Sequence, residues 1–217
     1  MQPTPRHNHP GSNDAAMWSE YHSKHAGSVI HLLHWLKVHV VCEMFASRIL
    51  RMSGPVSSVL ELACGTASTL DAIQRRTGAL CTGVDRCSEA IELARARYPA
   101  LHLQEGDIFH LPDSPKSYDL VYSVGLLEHF AYDDQARLLQ IHGSLAAKYV
   151  ALMVPADNIV FKTILMVNKR LLLRSGVWAD EQVFSLQSLA RYFPGYCFEV
   201  AKDRRFLNMI LWFGWKP

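Results

Sequence analysis

The stretch that decides the fold is residues 59–68, VLELACGTAS. Val59, Leu60 and Leu62 around Glu61 have the apolar character of a parallel strand buried on both faces. Ala63, Cys64, Gly65, Thr66 and Ala67 follow, all small enough to bring backbone close to a ligand. Helical spacing then takes over, with Ala67, Leu70 and Ile73 or Gln74 on one face. A strand, a tight small-residue turn and a helix N-terminus, in that order, form a nucleotide-binding corner in an open α/β sheet.

Outward from this corner the chain alternates. The helix over about 67–77 stops at Gly78, and a second strand, LCTGVD, ends at Asp85. The next helix starts near Ser88, where Glu89 suits the N-terminal dipole, and Pro99 closes it. A third strand is expected over 101–107 and a fourth over 118–125. A helix from Asp133 to Lys148 should turn Leu138, Ile141 and Leu145 inward, and YVALMVP reads as the fifth strand. Residues 156–184 read as a helical insert and SLQSLARYF as a short helix, with two strands filling the C-terminus. Upstream, residues 28–52 form a long, mostly apolar helix that Gly54-Pro55 ends. The expectation is a doubly wound, mostly parallel, seven-stranded Rossmann-like sheet, its ligand at the carboxyl edge. Its division is a disordered tail over 1–14, a helical cap over 15–54 and one domain over 55–217.

Composition narrows the classes. The chain has 217 residues, 49% of them hydrophobic, which is ample for one full core. A net charge of +2 is too mild to point to nucleic acid. The five cysteines include no C-x-x-C pair, which fits reduced thiols and a cytoplasmic setting. Cys64 reads as a compact filler rather than a nucleophile. The polar first fourteen residues lack an apolar h-region, so no secretory signal is expected. No apolar run reaches membrane-spanning length, because residues 29–46 contain His31, His34, Lys37, His39 and Glu43.

The acids identify the ligand class. Asp85 follows Glu61 by 24 positions, at a strand end where a carboxylate can accept both ribose hydroxyls. The loop is nevertheless not G-x-G-x-x-G: Gly65 is its only glycine, a poor match for a pyrophosphate. Asp107 ends the third strand, where it can accept from an exocyclic amine, and Ile108 can cover a purine face. This set suits an adenosine whose tail is an amino acid.

On these motifs the chain resembles the class I S-adenosylmethionine-dependent methyltransferases of the small-molecule type. The family's E/D-x-G-x-G-x-G loop matches Glu61, Cys64 and Gly65, with Ala63 and Ala67 at the outer glycine positions. Asp85 matches the second motif, and Gly106, Asp107 and Ile108 the third. YDLVYSVGLLEHF resembles the fourth strand and its leucine-glutamate-histidine turn, and WFGWKP the last strand. The resemblance covers about 57–155 well and the C-terminal strands loosely; the usual lysine-proline-glycine-glycine turn before strand 5 is replaced by GSLAAKYV.

The resemblance implies S-adenosyl-L-methionine as cofactor and in-line methyl transfer to an O, N or C nucleophile of a small molecule. Glu61 would steer the cofactor's amino end, while backbone around Ala63, Cys64 and Gly65 meets its carboxylate. Asp85, with Arg86 beside it, would take the ribose, Asp107 and Ile108 the adenine, and Ser123 would lie under the methionine part. Glu128 and His129 follow the fourth strand, where a base could reach an acceptor; a loop-fixing role competes. Tyr21, His22 and His25 could cap the pocket, against plain amphipathic packing. No metal is expected, since His22/His25 and His31/His34 lack a third ligand. The insert reads first as a substrate lid, then as a homodimer contact or a membrane-surface helix. Competing readings are an inactive cofactor-binding partner subunit, a nicotinamide oxidoreductase and a nucleic-acid methyltransferase. The last should carry a catalytic cysteine or a proline-proline-aromatic turn after strand 4, where this chain has SVGL.

Overall fold

A computed structural model describes residues 29–111, 117–155, 189–201 and 209–217. The 1–14 tail, residues 15–28 of the 15–54 cap with Tyr21 and His25, and the 156–184 insert lie outside the described residues.

The chain enters through α1 (Val29–Ser53), which ends at Gly54 in the left-handed region. Then β1 (Ser58–Leu62), α2 (Ser68–Thr77), β2 (Leu80–Asp85), α3 (Ser88–Arg97) and β3 (His102–Glu105) alternate. After a short 3-10 turn (Ile108–His110) come β4 (Tyr118–Val124), a second such turn (Leu127–His129), α4 (Tyr132–Leu145) and β5 (Ala146–Pro155). The sheet is completed by β6 (Cys197–Ala201) and β7 (Met209–Trp215).

Its seven strands lie in the order β3-β2-β1-β4-β5-β7-β6, all parallel except β7. From β1 the chain winds outward through β2 and β3, then returns to place β4 on the other side of β1. That reversal opens a crevice at the carboxyl ends of β1 and β4, where such sheets bind ligands.

Two cores flank the sheet. Phe45 and Ile49 of α1, Leu70 and Ile73 of α2, and Ile91 of α3 fill one face with Val59 and Tyr122. Leu138 and Leu139 of α4 fill the other with Leu60, Val121 and Trp212. Of the short helix expected over 185–193, the described part buries Leu189 and Phe193, and the Phe193 ring stacks on Trp212 at 4.8 Å. Arg75 and Arg76 of α2 both pair with the Glu43 carboxylate, and Arg76 Nη1 donates to the Glu43 carbonyl at 2.9 Å, fastening α1 to α2. No described helix is long and apolar enough to cross a membrane.

The largest departure from the expected boundaries is at the end of α4. The helix expected to reach Lys148 stops at Leu145, and Ala146–Lys148 already belong to β5. Alanine and lysine favour helix, but here Ala146 pairs with Tyr118, and the Lys148 carbonyl accepts from the Lys216 amide at 3.0 Å. Lys148 Nζ also meets Asp119 at 2.8 Å. Sheet pairing overrides local preference.

Candidate active site

The crevice holds a cavity of about 340 Å³, and its geometry starts from the loop after β1. Ala63, Gly65 and Ala67 all adopt positive φ, at 56°, 50° and 56°. These are the alternating positions at which the family loop resembled above carries glycine. An L-residue there costs roughly 1–2 kcal/mol of backbone strain, so the alanines hold a glycine-type conformation at an energetic cost. The conformation itself is fixed by hydrogen bonds. The Cys64 amide donates to the Val84 carbonyl at 3.1 Å, and the Ala67 amide to the Cys64 carbonyl at 2.8 Å. Cys64 turns its sulfur onto β2, where a Cβ on Gly83 would stand 2.8 Å from it. Only glycine lets the loop lie this close to the neighbouring strand.

Asp85 couples the loop to β2. Its Oδ2 accepts the Gly65 amide and its Oδ1 the Cys87 amide, both at 2.8 Å. Each carboxylate oxygen keeps a second lone pair, so two ligand hydroxyls can still be accepted. At the end of β3, Asp107 caps the 3-10 turn by accepting the Phe109 amide at 2.9 Å, and its Oδ2 pairs with His110 Nδ1 at 2.7 Å. Partial burial pushes the Asp107 carboxyl up, but the Phe109 amide and His110 outweigh this and hold it below the usual carboxylate range.

Glu61 is of another kind. It is 3% exposed, and its Oε2 is buried with no hydrogen-bond partner among the described residues. Burial pushes its carboxyl up to about 8, with the Tyr122 hydroxyl acting in the opposite direction. A buried acid with an unfilled acceptor at the cavity wall is ready for a cationic donor. The cavity thiols are inert by contrast: burial raises Cys42 to about 11 and also raises Cys64 and Cys87.

The cavity gathers Glu61, Ala63, Cys64, Gly65, Asp85, Arg86, Asp107, Ile108 and His129 of the residues singled out in the sequence. His129 is held down to about 4 by burial, so its imidazole is neutral near pH 7. Glu128 and Ser123 are not among the lining residues. Glu128 is buried against Gly125, whose Cβ, if present, would stand 3.4 Å from Glu128 Oε1. Ser123 faces α4, its hydroxyl 3.0 Å from His142 Nε2. His142 Nδ1 lies 2.7 Å from the Leu138 carbonyl and must donate to it, so in the neutral ring Nε2 accepts from Ser123.

Several lining residues were not singled out in the sequence, among them Cys42, Thr69, Phe109 and Phe130. Phe109 directly follows the Asp107-Ile108 pair, and Phe130 directly follows His129; adjacency was their available signal. Cys42 had none, because it reaches the cavity through the docking of α1.

The site's parts fit an adenosine with a cationic amino-acid tail: a strained cradle, ribose and amine acceptors, and an unfilled buried carboxyl. Comparison with known proteins agrees. Residues 59–146 match the family profile described as methyltransferase domain. No curated protein matches the chain. Among solved structures, magnesium protoporphyrin IX methyltransferase from Synechocystis PCC 6803 with bound SAH aligns with a TM-score of 0.68 at 12% identity, over 93% of this chain and 94% of that one. A SAM-dependent methyltransferase from Thermotoga maritima aligns at 0.67 and 17% identity, over 94% of this chain and all of that one (100%). At these identities the likeness to solved structures is one of fold. Over residues 59–146, from β1 to the start of β5, the chain is similar to the methyltransferase-domain family, and its fold is that of solved S-adenosylmethionine-dependent methyltransferases.

Proposed function

We propose that the protein transfers a methyl group from S-adenosylmethionine to a small-molecule acceptor. The observation that carries this reading is the pairing of Asp85, tied to the cradle through the Gly65 amide, with Glu61, whose buried Oε2 has an unfilled acceptor position. The two acids suit the opposite ends of one molecule, a ribose and an ammonium. Asp107 and Ile108 suit the purine between the third strand's end and the cavity.

The cofactor supplies an electrophilic methyl on a sulfonium. The chain's own residues bind, orient and exclude water. The apolar side chains of Val124, Leu126, Phe109 and Phe130 on the cavity wall keep water away from the reacting centre. Positioning supplies much of the rate in such a displacement. His129 borders the cavity with a neutral imidazole near pH 7, so it can accept a hydrogen bond from an acceptor hydroxyl or amine, while the burial that holds it at about 4 leaves it a weak base. In this reading the acceptor is small and partly apolar rather than a polymer, in keeping with the apolar wall of Val124, Leu126, Phe109 and Phe130.

Calorimetry with S-adenosylhomocysteine, followed by incubation with methyl-labelled S-adenosylmethionine and a small-metabolite extract, tests the proposal. Saturable binding and label in a low-mass product are expected. Binding without any label transfer would favour a cofactor-holding partner subunit, and absence of binding would overturn the reading.

A further inference from the structure

Arg137 stands on α4, exposed to solvent and outside the cavity lining, yet it acts on the cavity wall through Phe109. Its guanidinium lies 4.8 Å over the centre of the Phe109 ring, and its Nη2 donates to the Phe109 carbonyl at 3.1 Å. Phe109 is held from its other side by Asp107, which accepts the Phe109 amide at 2.9 Å. The residue that follows Ile108 is therefore gripped at its amide, its carbonyl and its ring. The ring in turn meets Phe130 edge-on, with centroids 5.6 Å apart and planes at 68°. Two positions before Arg137, Gln135 Nε2 donates to the Leu127 and Phe130 carbonyls at 3.1 and 2.8 Å. One turn of α4 thus fixes both aromatic segments of the wall, one by a cation and one by an amide.

We infer that Arg137 is a positioning residue for the adenine side of the cavity, setting the Phe109–Phe130 wall and, through the Phe109 backbone, the carboxylate of Asp107. The inference rests on the cofactor reading above. An exposed cation over a ring contributes modestly to stability, so its removal should be felt in the ligand more than in the fold. A Lys at this position can reach the ring and the carbonyl but lacks the planar fork that serves both at once.

The test is calorimetric titration of the wild type, Arg137→Ala and Arg137→Lys with S-adenosylhomocysteine and with adenosine, alongside thermal melts without ligand. In Arg137→Ala, both ligands should bind about five- to tenfold more weakly. Adenosine should lose the same factor, since it carries the half of the cofactor that this wall serves. Arg137→Lys should recover part of the loss, and Arg137→Ala should melt within a few degrees of wild type. Amide exchange in ligand-free Arg137→Ala should rise at Phe109 and Phe130. A lowered melting temperature with unchanged affinity would make Arg137 merely structural, and equal affinities in all three proteins would overturn the inference. Wild type that binds neither ligand would overturn the cofactor reading itself, and the positioning role with it.

Discussion

The Gly65 amide and the Asp85 carboxylate are joined at 2.8 Å, across 20 positions of sequence, and this bond ties the loop after β1 to the tip of β2. The same carboxylate caps the start of α3 through the Cys87 amide. Asp85→Asn leaves one carbonyl oxygen to serve two amides and the ligand. The substitution should weaken S-adenosylhomocysteine binding by about 1–3 kcal/mol, as expected for charge-assisted bonds lost. Isothermal titration of a protein shown folded by circular dichroism checks this, and undiminished affinity would remove Asp85 from the ribose site.

Stability without ligand should depend on pH with a defined sign. The Glu61 carboxyl titrates near 4.5 ordinarily and at about 8 in the fold. Between those values the native state holds a proton that the unfolded chain has lost. Stability therefore falls with rising pH over that window, by about 1.4 kcal/mol per pH unit for this one group. His129 and His142, both held by burial at about 4 rather than 6.5, act the other way: their contribution is present above 6.5 and is lost as pH falls toward 4. Taken together, the three groups put the stability maximum at about pH 6.5. Urea midpoints from pH 4 to 8.5 would reveal it, and Glu61→Gln should flatten the alkaline limb.

The two alanines of the cradle should respond differently to glycine. At Ala63, half-buried, relief of left-handed strain outweighs the added freedom of the unfolded chain, so Ala63→Gly should stabilise by about 0.5 kcal/mol. Ala67 is fully buried, and losing its methyl offsets the relief, so Ala67→Gly should stay within about 0.5 kcal/mol of wild type. Ala63→Val, branched at positive φ, should destabilise by about 2 kcal/mol or more. Chemical unfolding curves of the three variants decide the point; a stabilising valine would contradict the backbone geometry.

Ser123→Ala separates a fold role from a ligand role. It strips the buried His142 Nε2 of its donor, which should cost about 1–3 kcal/mol of stability. Because Ser123 faces α4 rather than the cavity, S-adenosylhomocysteine affinity should hold. A fall in affinity with no loss of stability would return Ser123 to the methionine end of the site.

Much of the site was legible because it lies at strand ends within short motifs. Gly65, Asp85 and Asp107 each lie at or just past the carboxyl end of a strand, and in a parallel sheet all such ends meet at one edge. The alternation of strand and helix predicted the sheet for the same reason. Ser123 was harder. Its strand position is evident, but which face of β4 meets the cavity depends on what packs there: the neighbouring Tyr122 turns to the Glu61 side and Ser123 to His142.

The sequence by itself determined the order of elements, the small-residue loop between β1 and α2, and the acids at the tips of β1, β2 and β3. These are local properties of patterning and turn chemistry, and they needed no distant partner. Only the tertiary structure decided that Ala146–Lys148 pair as strand, that Cys42 of α1 reaches the cavity, and that Arg137 holds Phe109 from 28 positions away. It also decided the charge of Glu61, whose carboxyl is ordinary in the chain and is pushed to about 8 only when the fold withdraws it from water. Desolvation and long-range contact are properties of the packed molecule, and no stretch of sequence contains them.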